Sequence, residues 1–487
     1  MKGYAFDDQD LRTSFSEVGQ DHIFRFWKDL NQEEKKRFLK QLQQVDLKEC
    51  TTAWHDIHKP QKKITNCEAP SAISSLSHHL EDLKLFREKG EEILKNNKVA
   101  AFTVAGGQGT RLGHDGPKGT LKCTPLRQIS LFEQFAENLK FYEKRFGHSI
   151  WWFIMTSADN HLQTQSFFQE NKFFGLDKNH IHFLQQGMMP VFDLEGKILL
   201  QEKNQLLMSP NGHGGSFKAL LDSGALQIMD NEGIDYLSYF QVDNPLVYCL
   251  DPMFIGSHIQ GKSEMSSKAV DKVNSKEKVG TFVKLNNTLQ VLEYSDIPDD
   301  LVEKTTSEGR LTYHLGNIAI HLLNRDFVKS VASASQEQAN RLLYHGALKK
   351  VKCLDETGNT LLPDAPNGLK AETFVFDAIP LAQNASIFEI DRLEEFAPIK
   401  NATGTDSPES SRKIQLSRAR RWLLNAGIKP LPKEAEISPS YAPTQQHFLE
   451  KISNLSIDPA AMQDQKIMVD ESGITAAQKY NEQLIND

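Results

Sequence analysis

The spacing of apolar and polar residues changes along the chain near residue 98. Upstream of this point, apolar side chains recur every three or four positions in NQEEKKRFLKQLQQVD, which begins at Asn31, and in HHLEDLKLFREKGEEILKNN, which begins at His78. This spacing places apolar side chains on one face of a helix and charged ones on the other. We therefore predict a helical N-terminal region over residues 1–97.

A different pattern follows over residues 98–400. Short apolar runs alternate with segments of helical spacing, and the runs are VAAFTVA, IWWFIMTS, IHFLQQG, DYLSYFQVDNPLV, KVGTFVKL and LGNIAIHLL. The helical segments between them include LFEQFAENLKFYEKRFG and NHLQTQSFFQENKFFG. Strands that alternate with helices are typical of an α/β layer with a largely parallel sheet, so we predict that this block is the central domain.

Residues 401–487 begin with NATGTDSPESS, a small and polar stretch that is typical of a loop. Helical spacing returns in LSRARRWLLNAG, TQQHFLEKISNL and ITAAQKYNEQLI, around a connector with several prolines. We predict a separate, largely helical C-terminal region.

Composition narrows the class of protein. Hydrophobic residues make up 39% of the chain and Phe occurs 28 times, which is enough to build a core. The formal charge of −8 disfavours binding to nucleic acid or to membrane surfaces, which select basic proteins. The sequence has no apolar run of membrane-spanning length and no signal-peptide pattern. Its five scattered cysteines fit reduced thiols, so we expect a cytoplasmic protein, with its oligomeric state left open.

The most informative segment is KVAAFTVAGGQGTRLGHDGPKGT, which covers residues 98–120. A Walker loop requires Gly, four residues and then Gly-Lys-Ser/Thr, whereas Lys118 follows Pro117. The dinucleotide fingerprint GxGxxG fits at Gly107 and Gly109 but has Leu112 where the third glycine belongs. The spacing therefore excludes the first motif and disfavours the second.

What remains is a turn after a strand, with tandem glycines and two cations. Gly106 and Gly107 let the backbone approach a ligand and point N–H groups at it. Arg111 adds a planar fork of donors, and Lys118 adds a compact charge far enough along to reach a different phosphate. This combination predicts a polyphosphate site.

The same loop, AGGQGTRLG followed by PKG, resembles the signature of the eukaryotic-type UDP-sugar pyrophosphorylases, which include the UDP-N-acetylglucosamine enzymes and their UDP-glucose relatives. Further segments follow in the family's order: LQQGMMPVF, SPNGHGGSFKAL, QVDNPL, VLEYSDIP, LGNIAIHLL, ETFVFDAIP and EEFAPIKNATGTDSPESSR. The resemblance implies an α/β, Rossmann-like nucleotidyltransferase fold of the GT-A-like type, with a central mixed sheet flanked by helices. It also implies Mg²⁺-assisted attack of N-acetylglucosamine 1-phosphate on the α-phosphorus of UTP, with release of pyrophosphate.

The resemblance further implies roles for individual residues. The catalytic cations would be Arg111, Lys118 and Lys400, and Asp243 would hold Mg²⁺. The nucleotide would contact Gly106, Gly107, Gly109, Thr110, Gln186, Gly187, Gly212, His213, Gly214 and Gly215. The sugar would contact Asn244, Glu293, Asn317, Phe374 and Phe376, with the two phenylalanines on one side of a strand. His213 fits a nucleotide contact and simple packing equally well.

Alternatives remain for the substrate and for the activity. The segment NGHGGSF combines the acetylglucosamine pattern NGNGG with a histidine more usual in the UDP-glucose relatives. UDP-glucose, or a broad range of UDP-sugars, is therefore the alternative product. A non-catalytic UDP-sugar-binding protein and a dehydrogenase are weaker hypotheses, because the cations of the loop serve transfer chemistry and Gly113 stands one position too late for a dinucleotide fingerprint.

Overall fold

A computed structural model describes residues 8–60, 64, 66–335, 337–452 and 465–477. The chain forms two compact units that interleave along the sequence. Unit 1 comprises Met1–Lys63, Gln186–Ala219 and Ser330–Ala378, and unit 2 comprises Ile64–Gln185, Leu220–Lys329 and Ile379–Asp487. The division of the sequence into three consecutive regions, 1–97, 98–400 and 401–487, stays a prediction.

The α-helices are α1 Asp8–Glu17, α2 Gln32–Leu42, α3 Leu47–Ile57, α4 Leu80–Lys95, α5 Leu131–Phe146, α6 His161–Glu170, α7 Ser216–Asp222, α8 Ala225–Glu232, α9 Pro252–Gln260, α10 Asp299–Val302, α11 Arg325–Ala332, α12 Arg392–Glu395, α13 Pro408–Asn425 and α14 Gln445–Ile452. Among the described residues, none of them is long and apolar enough to cross a membrane.

The strands are β1 Cys67–Glu68, β2 Ile73–Ser74, β3 Val99–Val104, β4 Trp152–Thr156, β5 Ile181–Gln185, β6 Met188–Pro190, β7 Leu200–Glu202, β8 Gln205–Leu206, β9 Met208–Pro210, β10 Tyr236–Gln241, β11 Met265–Asp271, β12 Thr281–Leu285, β13 Thr288–Leu292, β14 Leu315–Asn324, β15 His345–Lys349, β16 Cys353–Leu354, β17 Thr360–Leu361, β18 Gly368–Glu372, β19 Ala385–Glu389, β20 Glu434–Ile437, β21 Lys466–Asp470 and β22 Gly473–Ala476.

Unit 2 is built on a mixed sheet with the strand order β2-β19-β11-β14-β10-β3-β4-β5, to which β12, with β1 and β13, adds beside β14. The strands β10, β3, β4 and β5 are parallel, whereas β14 runs antiparallel to both β10 and β11. In the parallel part, Gln241 pairs with Val104. The carboxyl ends of β3 and β10 therefore lie side by side, which is where open α/β sheets bind ligands.

Burial explains why β3 reads as a continuous apolar run, because the central strands of a parallel sheet are covered on both faces. Every residue from Val99 to Thr103 in this strand is buried. Helix α5 begins at the capping residue Ser130, which accepts the N–H of Glu133, and ends at Gly147 with φ of +77°. Its apolar face joins the core that includes β3 and β4.

Unit 1 has a core of its own, formed around short strand pairs and the N-terminal helices. The pairs are β6–β9, β7–β8, β15–β18 and β16–β17. The core includes Phe15, Ile23, Phe38, Leu42, Ala53, Met189, Phe192, Leu200 and Leu206. The spacing of apolar residues in α2 is therefore the spacing of its buried face, as the sequence predicted.

The predicted helices at residues 31–46, 78–97 and 131–147, and the predicted strands from β3 to β14, are confirmed with end shifts of a few residues. The C-terminal region departs from the prediction, because Gly473–Ala476 is a strand and not part of a helix. A tight turn, in which Asp470 Oδ1 accepts the N–H of Ser472, returns β22 along β21. The rest of the predicted final helix, residues 478–485, lies outside the described residues.

Candidate active site

The glycine loop that follows β3 is closed at its base by hydrogen bonds. Lys118 N donates to Gly107 O at 3.1 Å, and Gly109 N donates to Gly116 O at 2.9 Å. The buried side chain of Asn160 also donates through Nδ2 to Gly107 O at 3.3 Å. These bonds tie the two ends of the loop together at its base.

Three consecutive N–H groups at the start of this loop have no acceptor. Those of Gly106, Gly107 and Gln108 make no hydrogen bond with the described part of the chain. The three residues are exposed or half-buried and stand directly beyond the carboxyl end of β3. Successive unpaired backbone N–H groups form a concave anion site, so the loop is built to receive phosphate oxygens.

The two glycines of GxG serve different purposes. A Cβ placed on Gly107 would meet nothing nearer than Lys118 Cδ at 4.0 Å, and the residue does not have a positive φ. A Cβ on Gly109 would lie 2.7 Å from His114 Cδ2 and 3.0 Å from His114 O. Gly109 is therefore required by packing inside the loop, whereas Gly107 leaves space that the protein itself does not use.

The two cations of the loop lie in different surroundings. Lys118 Nζ lies 3.6 Å from Asp243 Oδ2, with 15% and 13% of these side chains exposed. Arg111 is exposed and makes no ion pair or side-chain hydrogen bond within the described ranges. The loop therefore offers one cation anchored beside a carboxylate and one that is available to a ligand.

Asp243 follows β10 at the same edge of the sheet, as the sequence predicted. Its backbone carbonyl accepts the N–H of Ile399 at 2.9 Å, which ties the segment leading to Lys400 to this edge. Lys400 itself is exposed, with Nζ 5.9 Å from the Phe396 ring centroid. The structure thus gathers Lys118, Asp243 and the Lys400 segment around the carboxyl ends of β3 and β10.

Backbone groups occupy the side chain of Asn244, and its contact with the sugar stays a prediction. Its side chain is 5% exposed and donates through Nδ2 to Glu395 O at 2.6 Å. Its Oδ1 accepts the N–H groups of Ala397 at 3.1 Å and Leu246 at 3.3 Å. Because backbone groups already use both ends of this amide, the geometry makes Asn244 a support for the 395–397 segment and gives the sugar contact no help.

The predicted sugar ligands Glu293 and Asn317 both lie beside Gly280. Asn317 N donates to Gly280 O at 2.7 Å, and a Cβ on Gly280 would lie 3.6 Å from Glu293 Oε1. Asn317 stands where the register of β14 with β11 shifts, next to Ala319 with φ of +55°. Its Oδ1 accepts the N–H of Ala319 at 3.0 Å. Bulges of this kind re-aim side chains and are common beside active sites.

In unit 1, Gln186 and Gly187 lie beside the second glycine loop. Gln186 Nε2 donates to Gly212 O at 2.6 Å, and Asn211 N donates to Gly187 O at 3.1 Å. A Cβ on Gly187 would lie 2.7 Å from Asn211 Nδ2, and one on Gly215 would lie 2.1 Å from Asn211 Oδ1. These two glycines make room for the Asn211 side chain.

Gly212 and Gly214 pack against the backbone that follows β18. A Cβ on Gly212 would lie 2.3 Å from Thr373 O, and one on Gly214 would lie 2.7 Å from Phe374 N. Gly214 N also donates to Thr373 O at 2.8 Å. Packing within unit 1 is therefore sufficient to explain these glycines, and their contact with the nucleotide stays a prediction.

The prediction that Phe374 and Phe376 share a strand is wrong. β18 ends at Glu372, and Val375–Leu381 forms a 3-10 helix. The strand ends because the N–H of Thr373 donates to Asn211 O, outside the ladder with β15. The two phenylalanine rings nevertheless stack, with centroids 5.1 Å apart at 26°.

His213 belongs to this aromatic group. Its ring centroid lies 5.3 Å from that of Phe374 and 5.7 Å from that of Phe376. Burial lowers the pKa of His213 to about 4. Because His213 Nδ1 accepts the N–H of Val375 at 3.1 Å, the neutral ring carries its proton on Nε2. His213 therefore packs against the aromatic rings and keeps one N–H donor.

Three residues that the sequence analysis did not select support these groups. Asn160 and Asn211 hold the two glycine loops, and Asn211 Oδ1 is buried without a hydrogen-bond partner among the described residues. Asp406, with φ of +56°, accepts the N–H groups of Lys400 at 2.6 Å and Asn401 at 2.9 Å on its backbone carbonyl. Burial raises the pKa of its carboxyl, and Lys400 opposes the rise. The sequence signal that could have identified these supporting residues is an asparagine or aspartate close to a motif, such as Asn211 directly before the second glycine loop.

The site fits a magnesium ion that is held largely by substrate. The described residues hold no cluster of three or more His, Cys, Asp or Glu side chains suited to a metal. Mg²⁺ is bound in many phosphate-transfer sites by one or two carboxylates together with phosphate oxygens. Asp243 is a carboxylate of this kind, beside the unpaired N–H groups of the loop.

Comparison with known proteins matches the sequence to one family. The family description of UTP–glucose-1-phosphate uridylyltransferases matches residues 36–440. UDP-N-acetylhexosamine pyrophosphorylase-like protein 1 from Xenopus tropicalis is 34% identical over 435 residues, which are 85% of this chain and 84% of the relative. UDP-N-acetylglucosamine pyrophosphorylase from Saccharomyces cerevisiae is 34% identical over 440 residues, which are 86% of this chain and 91% of the relative.

A solved structure shows the same fold. The uridine diphosphate N-acetylglucosamine pyrophosphorylase from Trypanosoma brucei, crystallised with an inhibitor, superposes with a TM-score of 0.80 at 24% identity and covers 97% of this chain and 99% of its own. This confirms the fold class that the strand–helix alternation and the family resemblance predicted. Since the sequence matches span most of the chain, the chain belongs to the UTP–glucose-1-phosphate uridylyltransferase family.

Proposed function

We propose that this protein is a uridylyltransferase that joins UTP and N-acetylglucosamine 1-phosphate to form UDP-N-acetylglucosamine and pyrophosphate. One observation carries the proposal. The unpaired N–H groups of Gly106–Gln108 stand at the carboxyl end of β3, next to the Lys118–Asp243 pair beyond β10. The named relatives supply the sugar, since two of them carry N-acetylhexosamine or N-acetylglucosamine in their names.

The chemistry requires no protein nucleophile. A phosphate oxygen of the sugar 1-phosphate attacks the α-phosphorus of UTP, the bond from that phosphorus to the β-phosphate bridge breaks, and pyrophosphate leaves. Catalysis of this kind depends on positioning and on neutralising charge. We assign the backbone N–H groups of Gly106 and Gly107 to the triphosphate, and Arg111 and Lys118 to the phosphates that react and leave.

Lys400 is assigned to the phosphate of the incoming sugar. Its exposed side chain lies on a segment fixed to Asp243 by the Ile399 N–H, so a phosphate bound there would lie close to the other charged groups. Glu293 and Asn317, which both lie beside Gly280, are assigned to sugar hydroxyls. The roles proposed for Gln186, Phe374 and the other residues of unit 1 stay predictions.

Magnesium is part of the proposal. When bound, the ion would supply positive charge to the triphosphate and the leaving pyrophosphate. Asp243 would hold it, and because the Asp243 carboxylate lies 3.6 Å from Lys118 Nζ, it would share its charge between the ion and this ammonium. The cytoplasmic location is also proposed, and the five free cysteines support it.

The experiment is a panel of sugar 1-phosphates with UTP and magnesium, in which pyrophosphate release is measured. We expect the highest kcat/KM with N-acetylglucosamine 1-phosphate. Lys118→Ala is expected to lose activity by a factor on the order of 100 or more, as removal of a transition-state charge contact does. Lys122→Ala is the matched control, since Lys122 is an exposed lysine four residues further along the chain.

Two results would overturn the proposal. Tight UDP-sugar binding without turnover would indicate a non-catalytic binding protein. A preference for glucose 1-phosphate would identify the UDP-glucose alternative, for which the sequence reason is His213 in NGHGG.

A further inference from the structure

A buried ion cluster lies behind the Lys400 segment. Lys268, on β11, is fully buried, and its Nζ lies 2.6 Å from Asp251 Oδ2 and 2.5 Å from Glu395 Oε2. Asp251 is 7% exposed and Glu395 is 3% exposed. One lysine therefore joins two carboxylates that come from distant parts of the sequence.

Further contacts offset the cost of burying the three charges of this cluster. Asp251 Oδ1 also caps helix α9 by accepting the N–H of Met253 at 3.0 Å. The Lys268 ammonium lies 5.4 Å from the ring centroid of Tyr248 and 5.2 Å from that of Phe254. A buried charge that loses one partner is strongly destabilising, whereas a fully paired one is tolerated. The Lys268–Glu395 contact therefore holds α12 firmly against β11.

Glu395 connects this cluster to the catalytic edge of the sheet. Its backbone carbonyl accepts Nδ2 of Asn244, and Asn244 Oδ1 accepts the N–H of Ala397. Two residues further on, the N–H of Ile399 donates to Asp243 O. The chain then reaches Lys400, whose N–H donates to Asp406 O. Every second residue from Glu395 to Ile399 is thus bonded to Asp243 or Asn244.

We propose that Lys268 and Glu395 are positioning residues, which hold the 395–400 segment so that Lys400 and Asp243 stand in register for the reacting phosphates. The inference rests on the proposed function, because it takes the roles of Lys400 and Asp243 from it. Neither Lys268 nor Glu395 reaches solvent, so each acts through the segment and not on the substrate.

The ion pair is sensitive to pH in the neutral range. Burial raises the pKa of Glu395 to about 7, the Lys268 ammonium opposes the rise, and the Asp251 carboxylate adds to it. The Tyr248 hydroxyl and the Cys249 thiol also face this cluster, and burial keeps the pKa of each well above its usual range. Glu394 and Arg418 lie on the far side of Tyr248, where the Tyr248 hydroxyl donates to Glu394 Oε2. As the pH falls through the neutral range, protonation of Glu395 removes its charge–charge contact with Lys268, and as the pH rises the contact is restored.

The test is the isosteric variant Glu395→Gln, which resembles the protonated form at every pH. We expect kcat/KM for the sugar 1-phosphate to equal the native value near pH 6 and to fall about fivefold below it at pH 8, a loss near 1 kcal/mol. The ratio of native to variant kcat/KM cancels the titration of the substrate phosphate, because both proteins use the same substrate. A purely structural role would lower the melting temperature and leave this ratio independent of pH.

Two further variants complete the design. Glu91→Gln is the control, because it removes another partly buried, paired carboxylate of unit 2 that does not contact the 395–400 segment. The ratio of native to Glu91→Gln kcat/KM is expected to stay constant with pH. Asp251→Asn keeps an N-cap residue but removes the carboxylate that raises the Glu395 pKa. The midpoint of the rise in kcat/KM with pH should therefore move to a lower pH in this variant. This shift can be measured even if Glu395→Gln does not fold.

The outcomes separate the two proposals. An active native protein with a flat Glu395→Gln ratio, or with no downward shift in Asp251→Asn, overturns the positioning role alone. A native protein without turnover on any sugar 1-phosphate overturns the proposed function, and the positioning role with it.

Discussion

Replacing Gly107 with alanine separates a glycine kept for ligand approach from glycines kept for packing. The added methyl group would have no heavy-atom neighbour closer than Lys118 Cδ at 4.0 Å, an ordinary van der Waals contact. Since φ at this position is not positive, alanine fits the backbone. The variant is therefore expected to fold normally, with stability unchanged or raised by up to about 1 kcal/mol through the stiffer unfolded chain.

Activity should respond in the opposite direction. The methyl group would take up space that the protein itself leaves open, on a residue whose N–H group is unpaired, and we expect it to hinder the approach of the triphosphate. Loss of one charge-assisted hydrogen bond to a phosphate costs about 1.5–3 kcal/mol. The expected decrease in kcat/KM for UTP is therefore about 10- to 100-fold.

Two neighbouring glycines provide controls in the same loop. A Cβ on Gly109 would lie 2.7 Å from His114 Cδ2, so Gly109→Ala should lower stability by about 1–3 kcal/mol through overcrowding. A Cβ on Gly113 would meet nothing within 4 Å, but φ is +71°, so Gly113→Ala should cost about 1–2 kcal/mol of backbone strain and keep most activity.

The assay pairs thermal unfolding with pyrophosphate release at varied UTP. We expect Gly107→Ala to keep the native melting temperature and to have a lower kcat/KM for UTP. Gly109→Ala is expected to have a lower melting temperature. Native kcat/KM for UTP in Gly107→Ala would refute the assignment of this loop to the triphosphate.

The remaining predictions concern single residues. Arg111→Ala should lose turnover with an unchanged melting temperature, because the side chain has no ion pair within the described ranges; native activity would contradict its role. Gly214→Ala should lower the free energy of unfolding by about 1–3 kcal/mol, measured by denaturant titration, since its Cβ would lie 2.7 Å from Phe374 N. Because the pKa of His213 is lowered to about 4, the unfolded chain takes up the proton first, so its contribution to stability is present above pH 6.5 and is lost as pH falls toward 4; His213→Gln should weaken this acid dependence. Asp243→Asn should raise the magnesium concentration needed for half-maximal activity by about tenfold or more, and an unchanged requirement would move the ion elsewhere.

The sequence alone determined the main elements and the nature of the chemistry. Strands such as VAAFTV are buried on both faces of a parallel sheet, so each appears in the sequence as a continuous apolar run that can be recognised from neighbouring residues alone. The order of glycines and cations after β3 likewise follows from what a phosphate requires of a backbone, and the position of Asp243 follows from the end of an apolar strand. These features depend on a few neighbouring residues.

Only the tertiary structure decided which of these residues are used for packing. In the sequence, Gly107 cannot be distinguished from the other glycines of the two loops. In the structure, a Cβ on Gly109, Gly212 or Gly214 would collide with His114, Thr373 or Phe374, respectively. Asn244 was predicted to contact the sugar, and the tertiary structure shows that its amide is hydrogen-bonded to backbone groups about 150 positions away. β22 became a strand because β21 was there to pair with it. Spacing in the sequence records which side chains are present, whereas contacts between distant segments decide which of them remain open to a ligand.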